Sequence, residues 1–313
     1  MKHVILGAGP VGTSAAAALV KRGAEVVFVS RAKPAPLPAG VSHAALDVND
    51  EAALARACDG AAGVYQCLNA PYHRWREVFP GLQRAAVAAA RAARARYVSF
   101  ENVYMYGAPG SSPFLESQAH APCSDKGRVR AEMVEELRRL HHAGELDVTH
   151  VRASDLFGPG MRGSALGEEI LGRAVAGRGA RGFGDLDAAH TWTFTHDAGE
   201  TLAAAGLSAV SSGRVWHVPS DAPRSQRQVV AELSRLLGRE IALSSTPAWV
   251  LQIVGLFRPE ASAMIEMAYE FERPFVVDDQ ATRAALEVGH TSFFEALSGT
   301  VAGFRAAAAV SRA

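Results

Sequence analysis

The sequence predicts an α/β fold: a doubly wound parallel sheet with a smaller C-terminal substrate domain. Three observations carry that expectation. The first thirty residues read as strand, glycine turn, helix and strand. Short apolar runs then alternate with helical stretches through the first half of the chain. The second half turns to amphipathic helices joined by glycine-rich connections. Strands that alternate with helices lie parallel, and ligands of such sheets gather at the carboxyl ends of the strands.

Taken in order, "KHVILG" is a short apolar, β-branched run and reads as a buried strand. "AGP" turns the chain, "VGTSAAAALVKRG" is a helix that ends at Gly23, and "AEVVFVS" is a second buried strand. Gly7, Gly9 and Gly12 fall in G-x-G-x-x-G spacing at the first turn, with Pro10 and Val11 completing the loop. Gly7 permits the tight turn, Gly9 lets a pyrophosphate approach the backbone, and Gly12 lets helix and strand pack closely. The helix start adds free N–H groups for the phosphates. The strand–turn–helix–strand setting, more than the glycines alone, marks a Rossmann-like dinucleotide site. NAD sites place an acid at the end of the second strand. Here Ser30 and Arg31 stand there. A guanidinium fork and a hydroxyl suit a 2′-phosphate, so NADP(H) is favoured over NAD(H).

"HAALDVND" reads as a third strand ending at Asp47, and "AAGVYQCLNAP" as a fourth ending at Leu68, Asn69 and Ala70. "ARYVSFENVYMYG" reads as a fifth, with "GLQRAAVAAARAARA" a helix before it. Asp47, Asn69 and the segment after Phe100 then surround one crevice. Residues 1–157 form the dinucleotide-binding domain, with returning segments near 190–220, and residues 158–313 supply mainly the substrate-binding and lid region. In that region "GSALGEEILGRAVAG" is helical and "RVWHVPSD" is a late strand. "RSQRQVVAELSRLLG" is an amphipathic helix with Val229, Val230, Leu233, Leu236 and Leu237 on its apolar face. "PAWVLQIVGLF" and "ASAMIEMAYEF" read as helical lid material.

Composition excludes several classes. Of 313 residues 49% are hydrophobic and 20% charged, with 32 basic and 32 acidic side chains and no net charge. No basic run points to nucleic acid. The apolar run at 248–257 is cut by Arg258 and Pro259, short of the roughly 20 residues a membrane span needs. The N-terminus lacks a secretion pattern, and three scattered cysteines fit a reducing compartment. A cytoplasmic protein with no membrane partner is expected. The His190/His196 spacing matches no common zinc pattern and no Cys pair supports one, so no metal is expected. No G-x-S-x-G elbow suggests a hydrolase.

Several motifs in order resemble the extended short-chain dehydrogenase/reductase family, the NAD-dependent epimerase/dehydratase group. They are the N-terminal glycines, "ENVYMYG", "VRASDLFGPGM", "TFTHDAGETLAAA" and "FVVDDQATRAALEVGHTSFFEAL". The resemblance implies that Asp47 and Val48 contact adenine and that "APYHRW" forms the nicotinamide-side loop. It also implies a homodimer through "GLQRAAVAAARAARA" and "GRVRAEMVEELRRL". The family's catalytic helix carries Tyr-x-x-x-Lys with a glutamate four residues later. Anchored on Glu132, that pattern puts Ser124 at the tyrosine and Arg128 at the lysine position, and Asn102 stands where the family has Ser or Thr.

The resemblance therefore implies an atypical site lacking the Tyr-x-x-x-Lys pair. Arg128 can still hold the nicotinamide ribose, and Asn102 can polarise a carbonyl. Ser124 is either a remnant of the site or a helix N-cap. The proton then comes from Tyr104, from Lys126 or from water; Tyr104 also reads as a packing aromatic and Lys126 as a surface charge. Tyr72, His73 and Trp75 line a substrate pocket or merely anchor a loop, and His190 and Trp192 offer a pocket wall. His196 and Asp197 read as the start of a helix. The function expected is an NADP-dependent reductase or dehydrogenase of a small, fairly apolar carbonyl or imine compound. A non-catalytic NADP-binding sensor and a nucleotide-sugar epimerase or dehydratase are the alternatives.

Overall fold

A computed structural model describes residues 1–34, 37–111, 113–246 and 265–310. The first half runs β1 (Lys2–Leu6), α1 (Pro10–Lys21), β2 (Glu25–Ser30), β3 (Val41–Ala45), α2 (Glu51–Cys58), β4 (Ala61–Gln66), α3 (Trp75–Ala93), β5 (Arg96–Asn102), α4 (Asp125–His142) and β6 (Val148–Ala153). The second half adds β7 (Asp155–Phe157), a π-helical turn (Gly167–Gly172) running into α5 (Arg173–Val175), β8 (Ala180–Phe183), β9 (Trp192–Phe194) and α6 (Thr195–Leu207). It closes with β10 (Val215–His217), α7 (Gln226–Leu237), β11 (Leu243–Thr246), α8 (Gln280–Leu286) and α9 (Phe293–Val310).

Seven strands form one parallel sheet in the order β10-β6-β5-β4-β1-β2-β3. Chain direction across the sheet reverses between β1 and β4, so the switch-point crevice opens at their carboxyl ends. Near-continuous apolar strands are what a sheet covered on both faces requires. One core packs Val4, Leu6, Val64 and Tyr97 under α2, α3 and α4. The other packs Ile5, Phe28, Val98 and Val151 under α1 and α6. Helices α1 and α6 cross closely: a Cβ on Gly199 would collide with the Ser14 backbone. A third core, built on Phe157, Trp192, Val229, Leu233 and Phe304, joins the small parallel pairs β7–β9 and β8–β11 to α7 and α9.

Several expected boundaries move. The third strand stops at Ala45 and the fourth at Gln66, so Asp47 and Leu68 to Ala70 lie in the loops beyond them. The fifth stops at Asn102, and Tyr104–Tyr106 form a 3₁₀ turn instead of more strand. Gly107 follows at φ 83°, where a Cβ would strike the Ala121 carbonyl, so the chain turns away from the sheet. Helix α3 starts at Trp75, six residues before "GLQRAAVAAARAARA", because Trp75 and Phe79 anchor its first turns in the core. Of "GSALGEEILGRAVAG", only Arg173–Val175 is α-helical; Gly167–Gly172 is the π turn and the ends are turns. The α7 helix forms as expected, with a Ser225/Gln228 capping box and Gly238 in the left-handed C-cap. "PAWVLQIVGLF" and the first residues of "ASAMIEMAYEF" lie outside the described residues. Among the described residues no helix is long and apolar enough to cross a membrane.

Candidate active site

The turn after β1 is shaped by its own chain. Gly7 sits at φ 100°, and a Cβ there would lie 2.8 Å from the Cys67 carbonyl oxygen beyond β4. A Cβ on Gly12 would collide with the Gly7 carbonyl oxygen. Gly9, by contrast, has nothing within 4 Å of its Cβ position. Two glycines are thus demanded by packing, and the middle one faces open space, which is the room a pyrophosphate needs. Gly9 caps α1 without a side-chain bond and Pro10 occupies the first turn, so the remaining N–H groups of that turn point at the same space. The cradle fits a dinucleotide.

At the end of β2 the Ser30 hydroxyl donates to the Ala32 carbonyl at 2.8 Å and contacts His43 Nε2 at 3.0 Å, while Arg31 is exposed. Ser30 is therefore occupied within the chain, and any 2′-phosphate contact falls to Arg31. Asp47 is exposed, with Oδ1 accepting from the Asn49 backbone and side-chain nitrogens, and Val48 is buried beside it. Beyond β4, Asn69 is exposed and buried Ala70 accepts the Trp75 indole N–H at 3.1 Å.

At the end of β5, Asn102 Oδ1 accepts the Tyr104 backbone N–H at 3.2 Å and faces Arg130 Nε at 3.4 Å. That leaves the amide nitrogen of Asn102 as its donating end. Arg130 is buried over the Phe79 ring and is pulled down to about 10 by burial. Ser124 is the N-cap of α4, accepting from the Gly127 N–H at 3.0 Å. Arg128 lies on the exposed face, paired with Asp125. Lys126 is buried on the opposite face; it bonds Glu266 at 3.0 Å and lies 4.5 Å above the Tyr72 ring.

An aromatic and acidic cluster faces this helix start. Tyr104 stacks on Trp75, and Tyr72 meets Trp75 edge-on. The Tyr72 and Tyr104 hydroxyls face each other, and both phenols are pushed up, chiefly by burial and then by Glu270. Tyr269 is pushed up the same way, and its side chain neighbours Ser124. Glu270 is buried, with Oε1 bonded to none of the described residues. Asp155 accepts from or donates to His190 Nε2 at 2.8 Å according to protonation, and the His190 ring is stacked against Phe271.

The sequence of residues 3–218 matches the NAD dependent epimerase/dehydratase family. The chain belongs to that family. No curated protein sequence is significantly similar to it. Among solved structures, a dTDP-glucose 4,6-dehydratase from Streptomyces venezuelae with NAD and TYD bound is 18% identical, with a TM-score of 0.77, covering 98% of this chain and 97% of its own. A UDP-glucuronic acid 4-epimerase from Bacillus cereus in complex with NAD is 14% identical, with a TM-score of 0.80 and 97% of each chain covered. MoeE5 in complex with UDP-glucose and NAD is 17% identical, with a TM-score of 0.77, covering 98% of this chain and all of its own.

Within the family frame, the structure changes how the start of α4 is read. Ser124 and Arg128 are one turn apart, yet only Ser124 is buried, and it is spent as a cap. The buried pair is Lys126 and Arg130, also four residues apart: Lys126 meets Glu266 and the Tyr72 ring, Arg130 the end of β5, and Met133, Val134 and Leu137 continue the buried side. Arg128 does not reach the crevice, because two residues from Lys126 is about half a helical turn. Of the expected substrate residues, Tyr72 and Tyr104 meet in the cluster, and Trp75 supports them from the core. His73 is exposed. Trp192 is buried in the third core with its indole N–H on the Arg224 carbonyl, so it is packing material. Asp197 does stand at the start of α6, but its carboxylate takes both the Thr291 N–H and hydroxyl, tying that start to the segment before α9. Arg130, Asp155, Glu266, Tyr269 and Glu270 were missed from sequence. Only Arg130 had a local signal, its spacing of four from Lys126.

Proposed function

We propose that the protein is a nicotinamide-dinucleotide-dependent enzyme that interconverts a carbinol and a carbonyl, the redox step through which epimerisation or dehydration of a sugar ring can proceed. The observation that carries this reading is the meeting of two features on one sheet edge. The Gly7–Gly9–Gly12 cradle lies at the end of β1, and the Asn102–Tyr104 segment lies two strands away at the end of β5. The dinucleotide, when bound, supplies or accepts hydride at its nicotinamide ring. Asn102 then donates an amide hydrogen bond to the substrate oxygen. Tyr104 gives that oxygen a proton, since a phenol pushed up by burial stays protonated at neutral pH.

Family membership, the dTDP-glucose dehydratase and UDP-glucuronic acid epimerase among the solved relatives, and the UDP-glucose held by MoeE5 support a nucleotide sugar as the substrate. They give the small, fairly apolar carbonyl or imine expected from sequence less support. One observation favours that second reading. Arg162 is held by Glu168 at 2.5 Å and Arg173 donates to the Gly179 carbonyl, so these two cations do not converge on a diphosphate. The solved relatives hold NAD; the exposed Arg31 and the lack of an acid at the end of β2 support NADP(H) for this chain.

The test is turnover with NAD(H) and NADP(H) across a panel of UDP- and dTDP-hexoses and a panel of small ketones, aldehydes and imines. Conversion of a nucleotide sugar supports the proposal. Turnover confined to small carbonyls replaces it with the second reading. Tight dinucleotide binding without turnover on either panel leaves a sensor.

A further inference from the structure

We infer that Arg130 is a positioning residue of the site: it fixes and polarises the Asn102 amide, so that an amide N–H meets the substrate oxygen. The inference rests on the redox reading above and adds a residue of α4 to it. Asn102 Oδ1 faces two groups, the Tyr104 backbone N–H at 3.2 Å and Arg130 Nε at 3.4 Å. Neither can accept a hydrogen bond. A flipped amide would set its own N–H groups against both donors, so the oxygen is held on that side. Nδ2 is bonded to none of the described residues, and Asn102 is half-buried at the end of β5. The donating end of the amide is thus the one left for a ligand.

Arg130 is itself held in place. It is 6% exposed, and Nη2 donates to the Phe100 carbonyl at 3.3 Å, on the same strand as Asn102. Its guanidinium lies 4.5 Å from the Phe79 ring centroid and 5.5 Å from that of Trp75. Trp75 is also the ring on which Tyr104 stacks, so one aromatic frame sets both the amide donor and the phenol. Arg130 forms no ion pair with any of the described residues. A buried cation in that state is costly, and an apolar side chain would fill the place at less cost. What the cation adds is a hydrogen bond to the amide oxygen that carries its charge. Such a bond draws electrons toward Oδ1 and leaves the Nδ2–H bonds more polar, a stronger donor to a developing alkoxide. Arg130 acts through Asn102 and is therefore a positioning residue, not a catalytic one.

The first test needs no substrate. Asparagine-selective ¹⁵N labelling of the full chain gives side-chain amide signals from Asn49, Asn69 and Asn102 alone, and Asn102→Ala identifies the Asn102 pair. The Asn102 pair should lie downfield of that of exposed Asn69, and Arg130→Met should move it toward the Asn69 position. An unmoved pair overturns the inference. If Arg130→Met does not fold, neutral Arg130→Gln is read in the same way. The second test is a double-mutant cycle on any substrate that turns over. Arg130→Met or Arg130→Gln should lower kcat on the order of tenfold with KM nearly unchanged, a part of what losing an oxyanion donor costs. Arg130→Lys, which keeps the charge, should recover part of it. In an Asn102→Ala background the Arg130 change should cost nothing further. An additive loss there makes Arg130 merely structural and overturns the inference. A wild type that turns over nothing, yet shows the shifted Asn102 amide, overturns the redox reading and supports the orientation, so the two failures are told apart.

Discussion

At the residue scale, the proposed preference for NADP(H) rests on Arg31. Ser30 is turned onto Ala32 and His43, so Arg31 is the group at the end of β2 left exposed for a phosphate. A charge-assisted hydrogen bond of this kind contributes about 1.5–3 kcal/mol. Arg31→Ala should therefore weaken NADPH binding on the order of tenfold and leave NADH binding almost unchanged. Fluorescence titration of both nucleotides checks this; an unchanged NADPH-to-NADH ratio would remove Arg31 from the argument. Tyr104 is the second residue on which the proposal turns. Tyr104→Phe keeps the stack on Trp75 and removes only the hydroxyl. It should cost roughly 10²–10⁴ in turnover if the phenol is the general acid. Wild-type rates in that variant would return Tyr104 to the role of a packing aromatic.

At the element scale, the start of α4 is held twice. Ser124 caps it from within, and Glu266 binds both the Lys126 backbone N–H at 2.7 Å and the Lys126 ammonium at 3.0 Å. The cap alone is worth about 1 kcal/mol. Ser124→Ala should lower global stability by that amount in a denaturant titration, with dinucleotide binding retained. A loss of binding with no loss of stability would point back to Ser124 as part of the site. The same helix explains why Ser124 and Arg128 mislead as a pair. Sequence spacing records which residues share a turn, whereas burial of Lys126, Arg130, Met133 and Leu137 records which side meets the sheet.

At the scale of the whole molecule, a buried polar chain stitches the sheet to the C-terminal part. Glu101 takes His150 at 2.7 Å and Arg152 at 2.8 Å; Arg152 donates to the Tyr106 hydroxyl, which bonds His217, whose other ring nitrogen meets the Asp278 carbonyl. Burial holds His217 and His120 down at about 4. An unfolded chain takes up protons on these histidines from about pH 6.5 downward, while the folded chain does not. Stability is therefore lost as pH falls from about 6.5 to about 4, by up to roughly 1.4 kcal/mol per pH unit for buried His217 and by less for half-buried His120, which solvent screens. Glu101, held down by His150 and Arg152 against its burial, adds a further loss below the ordinary carboxylate range. Urea titrations at stepped pH check this; a flat profile between pH 6.5 and pH 4 would contradict the neutral state of buried His217 and half-buried His120.

By itself the sequence determined the dinucleotide half: the order of strands and helices, the glycine cradle, and the crevice at the strand ends. These are legible because they rest on local facts. A Gly at φ 100°, a Cβ-free approach of Gly12 to Gly7 and an apolar period each act within a few residues. Strand ends moved by a few residues because turns such as Tyr104–Tyr106 are set by Gly107 packing on Ala121, a contact the local pattern does not carry. The aromatic and acidic cluster beyond β5 was decided only by tertiary structure. Tyr72, Tyr104, Asp155 and Glu270 are scattered over nearly 200 positions and share no spacing. Folding the C-terminal segment over the end of β5 brings them together, a juxtaposition that no local pattern carries.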